Sequence, residues 1–387
     1  MSLPGRIAGS AAAAEAWVRP WRNRWRDAEV MVLLAGTATA AVPGISAAGA
    51  TPASRRRTAA ADAELLVLGP GGERPHALPP LPAGVSPALI SHVVLRELGL
   101  QPLLVDLGCP VAPAVAHLRL PGPAGDGPAR CLSGGEALDP ERLEALLALG
   151  RRWGERLAPG GRPLLLAECV PGGTSTALAV LTGLGVAADG LVSGSLRHPD
   201  HGRKAALVAQ GLGAAGLAMA AAGNRDEAVR VAAAVGDPMQ PLAAALVLAA
   251  AAAGRPVLLA GGSQMAAVLA LALALAPPSL RPAVAATAAV ATTAWVAHED
   301  GSDLALLLQR IGGRWGVEPL AFAADLRFAD PCHPALAAYE RGYVKEGVGA
   351  GGLALLWQLS GRTAPALASL CDRACATLLG PPPPTVR

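Results

Sequence analysis

Two glutamates stand beside glycine-rich turns in this chain, and each turn leads into a run of small apolar residues. The first lies in "AECVPGGTSTALAVL", where Glu168 precedes Gly172, Gly173, Thr174, Ser175 and Thr176. Backbone amides at the start of a helix, joined by hydroxyls, form a site for an anion such as phosphate. There is no Gly-Lys-Ser/Thr ending, so this is not a Walker loop, and the adjacent glycines do not make a dinucleotide fingerprint. An ordinary strand-to-helix turn with Ser/Thr caps is the plainer reading of the same residues. Glu168 argues for a ligand: a carboxylate beside an anion site repels that ligand unless it meets another part of it, such as a ribose hydroxyl. That combination points to a nucleotide, while a merely solvated glutamate remains the simple alternative.

The second glutamate lies in "YERGYVKEGVGAGGLALLW", where Lys345 and Glu346 precede Gly347, Gly349, Gly351 and Gly352. Such a segment does not hold a helix until about Leu353, and a glycine run is costly unless a ligand or a close backbone contact uses it. A third stretch, "LLAGGSQMAAVL", offers Gly261 and Gly262 for close backbone approach and Ser263 as a donor. It reads equally well as a tight turn before a core helix. The histidines form no ligand pattern beyond His198-x-x-His201 in a polar loop, so neither a metal nor a cofactor is expected.

The elements that must carry these residues are legible as short Val- and Leu-rich runs bounded by Gly or Pro. They lie at 30–36, 63–69, 100–108, 162–169 and 255–262. Continuous apolar runs of this length suit strands covered on both faces. Helical patterns at 86–99, 139–157, 174–185, 202–212 and 264–276 lie between and around them, and Ser86-Pro87 and Asp139-Pro140 look like helix starts. This alternation predicts an α/β fold: a Rossmann-like, mainly parallel sheet flanked by helices, with a smaller helical part from the two termini. Ligands of open parallel sheets bind outside the carboxyl ends of strands. The loops after Leu34, Val105, Ala167 and Leu259 are therefore the places to look.

Composition narrows the classes further. The 387 residues carry a net charge of only +3, and no long basic stripe interleaved with aromatics is present, which argues against nucleic acid as a partner. The six cysteines are widely spread, as expected of reduced thiols in the cytoplasm rather than a disulfide framework. Residues 257–276 are long enough to span a bilayer, yet a strand, a Gly-Gly turn and an Ala/Leu core helix ended by Pro277-Pro278 fit them without lipid. Residues 1–28 read as a variable extension or a first surface helix, since Glu15, Arg19, Arg22 and Arg24 break any signal-like apolar block. Residues 361–387 read as a terminal helix and a Pro-rich tail, leaving 29–360 as the main domain.

Taken in order, several segments resemble the nicotinate-nucleotide:dimethylbenzimidazole phosphoribosyltransferase family, and in particular its divergent, nicotinate mononucleotide-dependent branch. The carriers are "GTATAAVPGISAAGATP", "VDLG", "AECVPGGTSTA", "HPDHGRK", "GRPVLLAGG" and "YVKEGVGAGG", spread over about residues 30 to 360. The resemblance implies transfer of the phosphoribosyl group of nicotinate mononucleotide to a benzimidazole-type base, giving the α-ribazole phosphate of the cobalamin lower ligand. It implies Glu346 as catalytic base, from the family's Gly-Glu-Gly-x-Gly-Ala pattern, with Gly347 and Gly349 beside it. It further implies Glu168 near the ribose, Gly172, Gly173, Thr174, Ser175 and Thr176 around the phosphate, and Lys204 as a phosphate-holding cation. Gly261, Gly262 and Ser263 would line the neighbouring loop, and a homodimer is implied. The chain departs from the family in using Thr and Ser for the phosphate-loop Asn, in Ala260-Gly261-Gly262 where Asp-Gly-Phe is usual, and in its loose echo of an N-terminal Pro-Gly-Ser segment at 43–46. A non-catalytic nucleotide-binding or sensing protein of the same fold is the other functional class.

Overall fold

Burial on both faces selects β-structure for four of the five apolar runs, and four further strands complete one sheet. In the computed structural model, which describes residues 5–157, 160–217, 223–328 and 332–380, the strands are β1 (Gly5–Ala8), β2 (Glu29–Leu34), β3 (Pro102–Asp106), β4 (Leu118–Arg119), β5 (Leu164–Cys169), β6 (Val257–Ala260), β7 (Ala288–Thr293) and β8 (Leu320–Ala324). They form a single sheet in the order β1-β8-β7-β6-β5-β2-β3-β4. Every pairing is parallel except that of β1 with β8. From β2 the chain moves outward to β3 and β4, then returns to the other side of β2 and builds β5 to β8. The order therefore reverses between β2 and β5, where Leu33 lies opposite Glu168 and Leu34 opposite Cys169. A crevice at such a reversal is where open α/β sheets bind ligands.

Apolar helices cover both faces. One layer includes the helices Pro140–Leu157, Gly173–Gly183, Met239–Ala252 and Gly262–Leu275. The other includes Ala11–Arg24 from the N-terminal end, Thr58–Leu68 and Ala88–Leu98, and Ala350–Leu359 and Ala364–Leu379 from the C-terminal end. The expected α/β architecture with helices from both termini is the one observed. Residues 257–276 form β6 and a core helix whose residues are all buried apart from Gln264. Among the described residues no helix is long and apolar enough to cross a membrane.

Two expectations need correction. The run 63–69 is not a strand but the end of the Thr58–Leu68 helix, buried from Thr58 to Leu66. A helix enclosed all round shows no polar face, so its apolar run cannot be told from a buried strand by periodicity. Residues 5–28 are not an appended extension: they hold a strand and the expected first helix, which lies at the surface with one face buried. β1 adds an antiparallel edge to the sheet, and Trp17 and Trp21 of the following helix are buried. Trp17 stacks on Phe322 of β8 at 5.2 Å between ring centroids, and its Nε1 donates to the Thr287 carbonyl at 2.9 Å. The tail at 381–387 lies outside the described residues. β7 and β8 escaped notice because "AAVATT" and "LAFAA" lack the Val/Leu density by which the other strands stand out.

Candidate functional site

The last residues of β5 bring the first glutamate to the reversal point. Glu168 is 2% exposed, and its Oε2 accepts from the Val170 amide at 3.0 Å. Burial, followed by the charges of Glu346 and Asp237, raises its pKa to about 8, against hydrogen bonds from Val170 and Gln264. Its surroundings thus favour the neutral acid, which can donate a hydrogen bond. Gly261 gives it room: a Cβ there would stand 3.0 Å from Glu168 Cγ.

Beyond Glu168 the chain turns through Gly172 at φ 84° into the Gly173–Gly183 helix. A side chain at Gly172 would meet the Ala40 amide at 2.9 Å, so that position requires glycine, while one at Gly173 would displace the Gln264 side chain. The three hydroxyls then diverge. Thr174 Oγ1 accepts from Lys204 Nζ at 3.1 Å. Ser175 is fully buried, and its Oγ has no partner among the described residues. Thr176 turns into the core and donates to Asp237 Oδ2 at 2.6 Å, with the Gly173 carbonyl 3.0 Å from the same hydroxyl. Its hydroxyl is spent on holding the helix start to the Met239–Ala252 helix, whose first amide is bound by the same aspartate.

Lys204 is 3% exposed and donates also to the Ser193 carbonyl at 3.2 Å. Burial, then repulsion from Lys345, lowers its pKa to about 8. A cation whose hydrogen bonds end on neutral oxygens at a helix N-terminus is poised to receive an anion. Ser263, expected to meet a ligand, instead accepts from the Ser193 amide at 3.0 Å and so fixes the Lys204 neighbourhood. Gly262 and Gly349 are likewise packing positions: added Cβ atoms would lie 2.9 Å from Thr292 Oγ1 and 2.5 Å from Ala167 Cβ.

The second glutamate reaches the site from the opposite side of the crevice. Four donors hold the Glu346 carboxylate: Thr292 Oγ1 and the Thr293 amide reach Oε2 at 2.9 Å each, and the Gly347 and Gly351 amides reach Oε1 at 3.1 and 3.0 Å. Two of these donors sit at the carboxyl end of β7 and two at the turn into Ala350–Leu359. Burial pushes its pKa up, while these hydrogen bonds pull the other way. Around it the backbone is strained, since Val344, Lys345 and Val348 all adopt left-handed φ values of 66°, 63° and 52°. Strain of this kind persists only where the surroundings over-determine it. Here the Val344 amide donates to Ser195 O at 3.2 Å, Thr293 Oγ1 to Lys345 O at 2.6 Å and Ser91 Oγ to Val348 O at 2.8 Å. The Lys345 ammonium is ion-paired with Glu299 and donates to Leu196 O at 3.2 Å.

Glu168, Gly172, Gly173, Thr174, Glu346 and Gly347 line one cavity of about 310 Å³. Ser175, Thr176, Lys204, Gly261, Gly262, Ser263 and Gly349 lie behind its walls rather than on them. The sequence reading missed Asp62, a third carboxyl on the cavity. It accepts from Ser86 Oγ at 2.6 Å, and the Cys169 thiol lies 3.7 Å from its other oxygen. Burial raises its pKa to about 6. Nothing local marked it, since the stretch "TAAADAELL" also carries Glu64, which does not line the cavity.

No family model matches the chain. The UPF0284 protein of Prochlorococcus marinus (strain MIT 9313) is 51% identical over 377 residues, covering 96% of this chain and 91% of that protein. A UPF0284 protein of Parasynechococcus marenigrum (strain WH8102) is 51% identical over 370 residues, covering 94% and 91%. Among solved structures, CobT from Thermus thermophilus superposes with a TM-score of 0.55 at 19% identity, covering 94% of this chain and 92% of the other. A nicotinate-nucleotide-dimethylbenzimidazole phosphoribosyltransferase structure from the same organism gives 0.51 at 17%, covering 94% and 95%. At these identities the likeness to the solved structures is one of fold.

Proposed function

The chain belongs to the UPF0284 family, and from that premise we propose that it is a phosphoribosyltransferase, moving the phosphoribosyl group of nicotinate mononucleotide to an aromatic nitrogen base of benzimidazole type. The observation that carries this reading is the shared cavity: a four-fold hydrogen-bonded carboxylate, Glu346, faces a glycine turn and helix N-terminus backed by the buried Lys204. The phosphate would rest on the amides of Gly172, Gly173 and Thr174, with Lys204 supplying charge through the same helix start. The protonated Glu168 would donate to a ribose hydroxyl.

In the reaction, one ring nitrogen of the acceptor attacks C1′ of the ribose as the bond from C1′ to the nicotinate nitrogen breaks. The electron pair of that bond leaves with nicotinate, and the proton on the acceptor's other ring nitrogen passes to Glu346. The environments of the two glutamates suit different roles: burial raises both carboxyls, but four hydrogen bonds oppose it at Glu346, and in its ionised form Glu346 would favour an oxocarbenium-like transition state. By the same resemblance the enzyme would act as a homodimer on the lower-ligand branch of cobalamin synthesis.

The test is incubation of the purified protein with nicotinate mononucleotide and a panel of bases, following nicotinate and the new nucleotide by mass spectrometry. A base-dependent product, reduced about 100-fold or more in Glu346→Gln, supports the transferase. Binding of nicotinate mononucleotide without product under any base would instead favour the nucleotide-sensing reading.

A further inference from the structure

Asp62 has no part in the reaction just described, yet it is 6% exposed and lines the same cavity as Glu346. The segment that holds it is also the segment that holds the reactive loop. Ser86, its hydrogen-bond donor, precedes Pro87, which a side chain at Gly347 would meet at 3.0 Å, and Ser91 donates to the Val348 carbonyl. The apolar residues Leu78, Pro79, Pro80, Leu81 and Pro82 line the same cavity as Asp62. A planar aromatic acceptor bound in this cavity would pack against these apolar side chains and share the cavity with both Glu346 and Asp62.

A carboxylate offers about four acceptor positions, of which Ser86 and Cys169 use two. A ring that presents only methyl groups to Asp62 would remove the remaining positions from water without pairing them, which is unfavourable for a buried acid. A ring bearing the carboxylate of nicotinate would be repelled by like charge. The ring that satisfies the position brings a hydrogen-bond donor.

Resting on the transferase reading above, we infer that Asp62 is a specificity-determining residue that selects an acceptor carrying an N–H or amino donor on the edge remote from the attacking nitrogen. It thereby separates the acceptor from the departing nicotinate and disfavours a purely methyl-substituted ring.

The experiment compares 5-aminobenzimidazole with 5,6-dimethylbenzimidazole on the full chain, by calorimetric binding and by transfer from nicotinate mononucleotide, with Asp62→Leu and Asp62→Asn alongside. The native protein is expected to favour the amino compound about 10- to 100-fold in both readouts. Asp62→Leu should reverse the preference with the KM for nicotinate mononucleotide unchanged, and Asp62→Asn, close in shape and still an acceptor, should narrow it. Equal or stronger binding of the dimethyl compound by the native protein overturns the inference whatever the variants do, as does a preference that survives in a folded Asp62→Leu, or binding of neither base. A binding preference without transfer overturns the transferase reading and leaves the Asp62 contact standing. Transfer without a preference does the converse.

Discussion

Lys345→Gly sets two opposing effects against each other inside the site. Lys345 sits at φ 63°, where the family that the chain resembles uses glycine in its Gly-Glu-Gly pattern. A left-handed conformation costs a residue with a side chain about 1–2 kcal/mol, and glycine's greater freedom in the unfolded chain returns about 0.5–1 of that, so relief of strain is worth roughly 1 kcal/mol. Against this stands an ion pair whose side chains are 1% and 8% exposed. Removing one member of such a pair strands the other and costs about 3–5 kcal/mol. Glu299 would keep the hydroxyl of Ser302 at 2.6 Å as its hydrogen-bond donor among the described residues, and the more distant charge of Lys204. The ion pair wins, and the net expectation is a loss of about 2–4 kcal/mol.

With about 2.1 cal/mol/K of unfolding entropy per residue, a chain of this size loses about 3–5 °C in Tm for that change. Scanning calorimetry and urea unfolding measure it, and a double-mutant cycle with Glu299→Gln should return a coupling of about 2 kcal/mol or more. Because Lys345 precedes Glu346, kcat should fall more than KM rises. A Lys345→Gly protein as stable as the native one would refute the reasoning, since backbone strain would then outweigh the ion pair.

Two further changes probe the same loops. Glu168→Gln tests the raised carboxyl. The folded state holds this proton more tightly than the unfolded chain, so its contribution to stability is complete below about pH 4.5 and is lost as pH rises through about 8. Urea midpoints at pH 5, 6.5 and 8 should fall less steeply in the variant, and an unchanged slope would exclude a buried, protonated Glu168. Gly351→Ala would drive a Cβ into the Thr292 carbonyl carbon and place it 2.5 Å from Glu346 Oε2. It should lower stability by about 1–3 kcal/mol and displace the base, and wild-type turnover in that variant would contradict the anchoring described above.

Much of the architecture was readable because burial leaves a compositional trace. "RPLLLAEC" and "RPVLLAGG" announce strands covered on both faces, and the glycines that follow mark where the chain must turn at the sheet's carboxyl end. The same trace failed where it was faint or ambiguous. The enclosed Thr58–Leu68 helix imitated a strand, and the alanine-rich β7 and β8 went unseen. At the site, Glu168, Glu346 and the Gly172-Gly173 turn could be singled out by residue type and spacing. Asp62 could not, because nothing local distinguishes an acid that faces a cavity from one that faces solvent.

What the sequence by itself determined is therefore local: element type where patterning is strong, the glycines at which the chain turns, and which side chains are chemically capable. Tertiary structure alone decided which of them meet. Glu168 and Glu346 stand far apart along the chain, and they share a cavity only because the strand order reverses between β2 and β5 and the Ala350–Leu359 helix packs back across the sheet. The directions of the hydroxyls of Thr174, Ser175 and Thr176, the seclusion of Lys204 and the raised pKa of Glu168 arise there too. Each depends on what surrounds a group in space, and desolvation and hydrogen bonding are properties of that surrounding rather than of the residue.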